Sequence, residues 1–169
     1  MKSVMPMSSR VVFTALAIFL AVGSHLADYN ETHIFNPRWT PHAKFHGGQT
    51  LMFSILLAGL SILFAWRKTT DRRGAVLAAS SFAAVYWVAQ AGAILYPGTA
   101  AFDPEFVTPT SYILGLALQN YIEIACLVLI GIAAWLALKP RAVQFSVDGS
   151  VLKEMEGLGE AGIPGGRKV

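Results

Sequence analysis

Apolar residues dominate four stretches of the chain, over residues 11–28, 41–66, 74–95 and 110–138, with short polar segments between them. Each stretch is long enough to cross a hydrocarbon core as a helix, which takes roughly 20 residues. The pattern therefore predicts an all-α fold, a four-helix transmembrane bundle over 1–141, followed by a polar, glycine-rich tail over 142–169. That tail has too little apolar content to build a core. It is expected to be disordered and cytoplasmic, with at most a short helix near Val151 to Met155.

The ends of the stretches carry their own signals. Thr40 is a suitable N-cap and Pro41 fits the first helical position, where no amide hydrogen is needed, so the second helix should begin there. Running to Trp66, it would be ~39 Å long, and its first turns should project into the headgroup zone. Gly47-Gly48 in those turns would let another backbone come close. Tyr96-Pro97-Gly98 stops the third helix, and the fourth is long enough for a tilted span. The first stretch has an alternative as a signal peptide cleaved after Ala21-Val22-Gly23. Its length, and the placing of His25 and Asp28 on one face at its end, favour a retained helix.

Composition sharpens the class. Hydrophobic residues make up 54% of the chain and charged residues only 14%, against about a quarter charged in soluble proteins, as in an integral membrane protein. The net charge of +3 does not indicate nucleic acid, because the basic residues cluster beside the apolar runs and form no binding stripe. Lys2, Arg10, Arg67, Lys68, Arg72, Arg73, Lys139 and Arg141 fall on one side of a four-span arrangement, and only Arg38 and Lys44 on the other. Positive charge collects on the cytoplasmic side, so both termini are expected there, in a bacterial inner membrane or a eukaryotic endomembrane. Cys126 stands alone, which permits no intrachain disulfide. The helix pairs do not echo each other's polar positions, which argues against an inverted-repeat transporter.

The candidate chemistry lies in two places. The segment from Asp28 to His46 holds three of the four histidines, and the fourth stretch carries Gln119, Asn120 and Glu123. A carboxylate at mid-membrane costs about 3 kcal/mol even on the lenient insertion scale, so Glu123 should face the bundle interior, with Gln119 and Asn120 on its own helix and Gln90 across from it. It is either a hydrogen-bonding clasp, held protonated, or a functional acid. The histidines support three readings. His42 and His46, one turn apart, could ligate a metal with His33, Asp28 or Glu31, although the spacing is weak evidence and no resident metal or cofactor is assigned. They could transfer protons, paired with Asp28, Glu31 or Glu123. They could also simply fasten the connector over the bundle. Trp39, Trp66, Tyr96 and Trp135 fit an interfacial belt, which leaves Trp87 and Tyr86 as aromatics able to line a cavity.

The run His33-Ile-Phe-Asn-Pro-Arg-Trp-Thr-Pro-His-Ala-Lys-Phe-His46 resembles the signature of small four-span microbial membrane proteins of unknown function. The architecture is more distantly similar to the emopamil-binding-type sterol isomerases. That likeness implies a cavity for a sterol-like molecule, with Glu123, His46 and Trp87 in the parts of carboxylate, histidine and aromatic. The reading that unites these features is a membrane protein binding a lipophilic small molecule at one mouth of the bundle. Glu123, His46, His42 and Asp28 would be its acid–base groups, and Gln119, Asn120, Gln90, Trp87 and His33 would line the site. The rival is a non-enzymatic accessory subunit that docks a protein partner or a second copy.

Overall fold

A computed structural model describes residues 4–140; the tail, with the disorder and short helix expected in it, lies outside the described residues. Helix α1 spans Met7–Asp28, α2 Pro41–Trp66, α3 Arg72–Ala93 and α4 Leu118–Leu138. Each is long and apolar enough to cross a membrane. Helix α1 packs on α2 and α4, and α3 packs on the same two, so the four close into a ring.

Small residues set how closely the ring closes. The buried positions of α2 are Leu51, Ser54, Ala58, Ser61 and Ala65, a three-four spacing that keeps one stripe facing inward, and four of the five are small enough for a neighbouring helix to approach. Larger side chains fill the space opposite, among them Phe13, Leu20, Val76, Trp87 and Ile130. Serines in the interior find partners across the helices. Ser9 Oγ donates to the Ala133 carbonyl at 2.8 Å, Ser61 Oγ to that of Ala79 at 3.1 Å, and Ser24 Oγ to Ser54 Oγ at 2.7 Å. Such bonds are worth about 0.6–2 kcal/mol each between membrane helices. The outward faces carry Val11, Ile18, Val22, Met52, Leu56, Leu63, Ile124, Val128 and Ile132, all exposed. A helix apolar on its outer as well as its inner face suits hydrocarbon rather than water.

The second helix begins and ends where its signals place it: Thr40 is the N-cap, its hydroxyl accepts from the Ala43 amide at 3.2 Å, and Pro41 opens the first turn. The third begins at Arg72 rather than 74, because the Asp71 carboxylate caps it by accepting from the Gly74 amide at 2.7 Å. The first starts about one turn earlier than the apolar run, at Met7.

The largest departure is at the fourth, which begins at Leu118 instead of 110. Tyr112–Ile113 and Leu116–Ala117 pair as a short antiparallel hairpin, and its two-residue turn needs positive φ at both positions, which Leu114 at 49° and Gly115 at 82° supply. The Tyr121 hydroxyl donates to the Ile113 carbonyl at 2.7 Å and ties the hairpin to α4. Glycine lifts the steric barrier at one of these positions, but leucine pays at the other, by roughly 1–2 kcal/mol. Leu114 is 95% exposed and gains no packing there. Leu114→Asn is therefore expected to raise stability by up to about 1 kcal/mol, read as a higher denaturation midpoint in detergent. An unchanged or lower midpoint would show that leucine bears no such cost at this position.

Candidate functional site

Two asparagines shape the connector between α1 and α2. Asn30 Nδ2 donates to the Ala27 carbonyl at 2.7 Å, which closes the end of α1, while its Oδ1 accepts from the Thr32 amide at 2.8 Å and the Thr32 hydroxyl at 2.6 Å. Asn36 is 1% exposed, and its Oδ1 accepts from the Arg38 amide at 2.9 Å. These turns lay the connector on the first turns of α2. At Gly47 a β-carbon would stand 3.1 Å from both Ile34 and Trp39 side chains. The close approach predicted at Gly47-Gly48 is thus made by side chains onto Gly47, not by another backbone, and Gly48 faces open space.

Across the bundle end, the loop after α3 meets the connector. Arg38 forms an ion pair with Glu105, which lies in a single 3-10 turn over Pro104–Phe106. The pair is partly exposed, so its net worth is about 0.2–1 kcal/mol, and it joins the two loops. Glu105→Gln should speed hydrogen exchange in both loops, and an Arg38→Glu, Glu105→Arg exchange should restore protection. Slow exchange in the single variant would assign the loop docking to Phe102 and Phe106 instead.

Beneath these loops lies a cavity of about 1080 Å³. Ala27, Asp28, Asn30, Thr32, His33 and Trp39 of the first connector line it, with Thr50, Phe53 and Leu57 from α2 and Val85, Tyr86, Ala89, Gln90 and Ala93 from α3. Gln119 at the start of α4 and residues 100–103 and 106 of the second loop complete the wall. Within it His33 Nδ1 lies 3.7 Å from Asp28 Oδ1 and 2.7 Å from the Thr32 hydroxyl. The His33 ring meets Trp39 edge-on at 5.1 Å between centroids. Gln90 Oε1 is buried and accepts no hydrogen bond from the protein. Pockets for drug-sized ligands run from about 300 to 1,000 Å³ and combine apolar walls with a few placed polar groups. This cavity lies just above that range and has that mixture.

The structure divides the expected site in three. Asp28, His33, Gln90 and Gln119 share the cavity. Glu123 sits one turn below Gln119 on the inner stripe of α4, 4% exposed; its Oε2 accepts from Asn120 Nδ2 at 3.3 Å, and its Oε1 is buried without a partner. No hydrogen bond joins it to Gln90 among the described residues, and neither Glu123 nor Asn120 lines the cavity. His42 and His46 face outward. Their Nε2 atoms are 3.1 Å apart and His46 Nδ1 is 3.3 Å from Gln49 Oε1, so the stripe is real, but it lies on the exposed side of α2. The grouping of Glu123, His46, His42 and Asp28 around one mouth is therefore corrected. The connector packs on the Gly47 face of α2 and so turns the face bearing His42 and His46 away. Among the described residues, no three His, Cys, Asp or Glu side chains converge as a metal site would require.

Trp87 belongs to the core, 7% exposed and stacked on Phe19 at 6.1 Å, while its neighbour Tyr86 lines the cavity. Reading the sequence missed Trp39, Thr32 and Asp103 as wall residues. Trp39 carried a belt signal that hid its second contact, and the only sign of Asp103 was a loop with acids and no Lys or Arg.

Fold and cavity together define a small bundle of four membrane-length helices with a ligand-sized chamber under two loops at one end. The chain belongs to a family of unknown function, DUF6640, whose model matches residues 12–144. No curated protein and no solved structure matches it.

Proposed function

We propose that this chain is an integral membrane protein with both termini cytoplasmic, in a bacterial inner membrane or a eukaryotic endomembrane, and that it binds a hydrophobic small molecule in the chamber at the connector end. The observation that carries the reading is the composition of one wall set: Phe53, Leu57, Val85 and Ala89 beside Asp28, His33, Gln90 and Gln119. Gln90, whose Oε1 accepts no hydrogen bond from the protein, adds a polar amide among these apolar side chains. If the ligand is transformed as well as held, the proton-transfer pair is Asp28 with His33, because these are the titratable groups that meet inside the chamber. Isomerisation or cyclisation would need no more than a proton placed and removed there.

Mass spectrometry of the full chain, purified from its own membranes in mild detergent, checks this. One lipophilic compound should accompany it in near-stoichiometric amount. Recovery of bulk phospholipids alone, in the proportions found with an unrelated four-span protein, would reject the binding reading.

A second reading has its own observation. Phe45, 64% exposed, stands with His42 and His46 on the outer face of α2, and an aromatic flanked by histidines outside the chamber suits a protein partner or a second copy. In that case Phe45→Asp should release a one-to-one companion from the natively purified protein while the fold is retained.

A further inference from the structure

We infer that the ligand of this chamber is a cationic amphiphile, a molecule with a protonated amine or quaternary ammonium head and a hydrocarbon body. The inference rests on the binding reading above and adds the charge of the ligand.

Three observations point the same way. The first is the sign of the walls. Asp28 and Asp103 both line the chamber, and no Lys or Arg does among the described residues. The connector's own cation, Arg38, is committed to Glu105. His33 lies 3.7 Å from Asp28, and the Asp103 carboxylate has no ion-pair partner among the described residues. Carboxylates in a concave site with apolar walls focus a negative potential that gathers cations and repels anions.

The second is the aromatic content at the same level. Trp39, Tyr86 and Phe102 line the chamber, and the faces of such rings attract ammonium groups by about 0.5–2 kcal/mol each. Carboxylates and ring faces together recognise a soft cation better than they do a hydroxyl.

The third is the ordering of the walls by depth. Asp28, Asp103 and Trp39 lie at or beside the loops, whereas Phe53 and Leu57 follow one another down α2 from Thr50. Thr50 to Leu57 is a rise of about 10 Å, and Val85 to Ala93 on α3 gives a matching wall. A head held at the loops therefore has an apolar channel for its tail. A neutral sterol-like molecule would make no use of the Asp103 carboxylate, which has no ion-pair partner among the described residues.

The test uses the full chain in nanodiscs of zwitterionic phosphatidylcholine, with empty nanodiscs as the baseline, and three radiolabelled probes of equal chain length: dodecylamine, dodecanol and dodecanoate. Dodecylamine should bind saturably and at least about tenfold more tightly than dodecanol, a difference of about 1.4 kcal/mol, with dodecanoate weakest. Asp103→Asn should remove most of that preference, and Asp103→Glu should retain it. Since Asp103 lies in an exposed loop, this pair of variants separates charge from folding. Equal binding of amine and alcohol, unmoved by Asp103→Asn, would overturn the charge inference while leaving the binding chamber intact. Tighter binding of dodecanoate would overturn it as well. No saturable binding of any probe would reject the chamber reading itself.

Discussion

Ala89→Phe should abolish ligand retention while leaving the bundle folded. Ala89 is on the α3 wall of the chamber and is exposed rather than packed in the core, so a ring added there enters open volume and meets little resistance. Overpacking penalties of about 1–3 kcal/mol arise when methylenes are forced into filled space. Here the expected change in stability is within about 0.5 kcal/mol. Affinity for a lipophilic probe should fall by more than about tenfold, because the ring occupies the apolar half of the site. The control is Val88→Phe, one residue away and exposed on the outside, which should leave binding unchanged. Binding and melting curves of the two variants give the answer; equal binding by both would place the ligand elsewhere.

Asn36→Ala should be among the most damaging substitutions in the loops. Its side chain is buried, accepts from the Arg38 amide at 2.9 Å, and donates to the Thr32 carbonyl at 3.4 Å, so truncation strands one backbone donor and one acceptor. Each group left without a partner costs about 1–3 kcal/mol. The effect should be local as well as global. Thr32 precedes His33, Arg38 precedes Trp39, and the Asn36 carbonyl accepts from the Trp39 amide at 3.2 Å, so the loss of these turns releases two wall residues together. Hydrogen exchange over 30–40 should accelerate, the thermal midpoint should fall, and binding in the chamber should weaken in parallel. Asn36→Asp, which keeps the acceptor for Arg38, should lose less.

The helices were legible in the sequence because a hydrocarbon span demands so much apolar length that few other arrangements fit, and α2 was legible to both ends because Thr40-Pro41 is a cap with a mechanism. The start of α4 was not. Residues 110–117 are apolar enough to continue a helix, and the hairpin there depends on Gly115 and on Leu114 taking a conformation that leucine disfavours, which the apolar pattern does not encode. Glu123 could be placed inside from the cost of a carboxylate in lipid, and it lies on the inner stripe of α4. The cavity was only half legible. His33, Asp28, Gln90 and Gln119 stood out as polar residues in or beside apolar runs, but helical spacing groups His42 with His46 without saying which way the pair faces. That direction is set by the connector, which packs where Gly47 leaves room for Ile34 and Trp39.

The most direct test of the chamber as a ligand site is photolabelling in nanodiscs with a diazirine-bearing dodecanol, followed by peptide mapping. Labels are expected on Phe53, Leu57, Val85 and Tyr86, suppressed by excess unlabelled dodecanol. Labels spread over the outward residues Leu56, Leu63 and Val88, and unmoved by competitor, would contradict it.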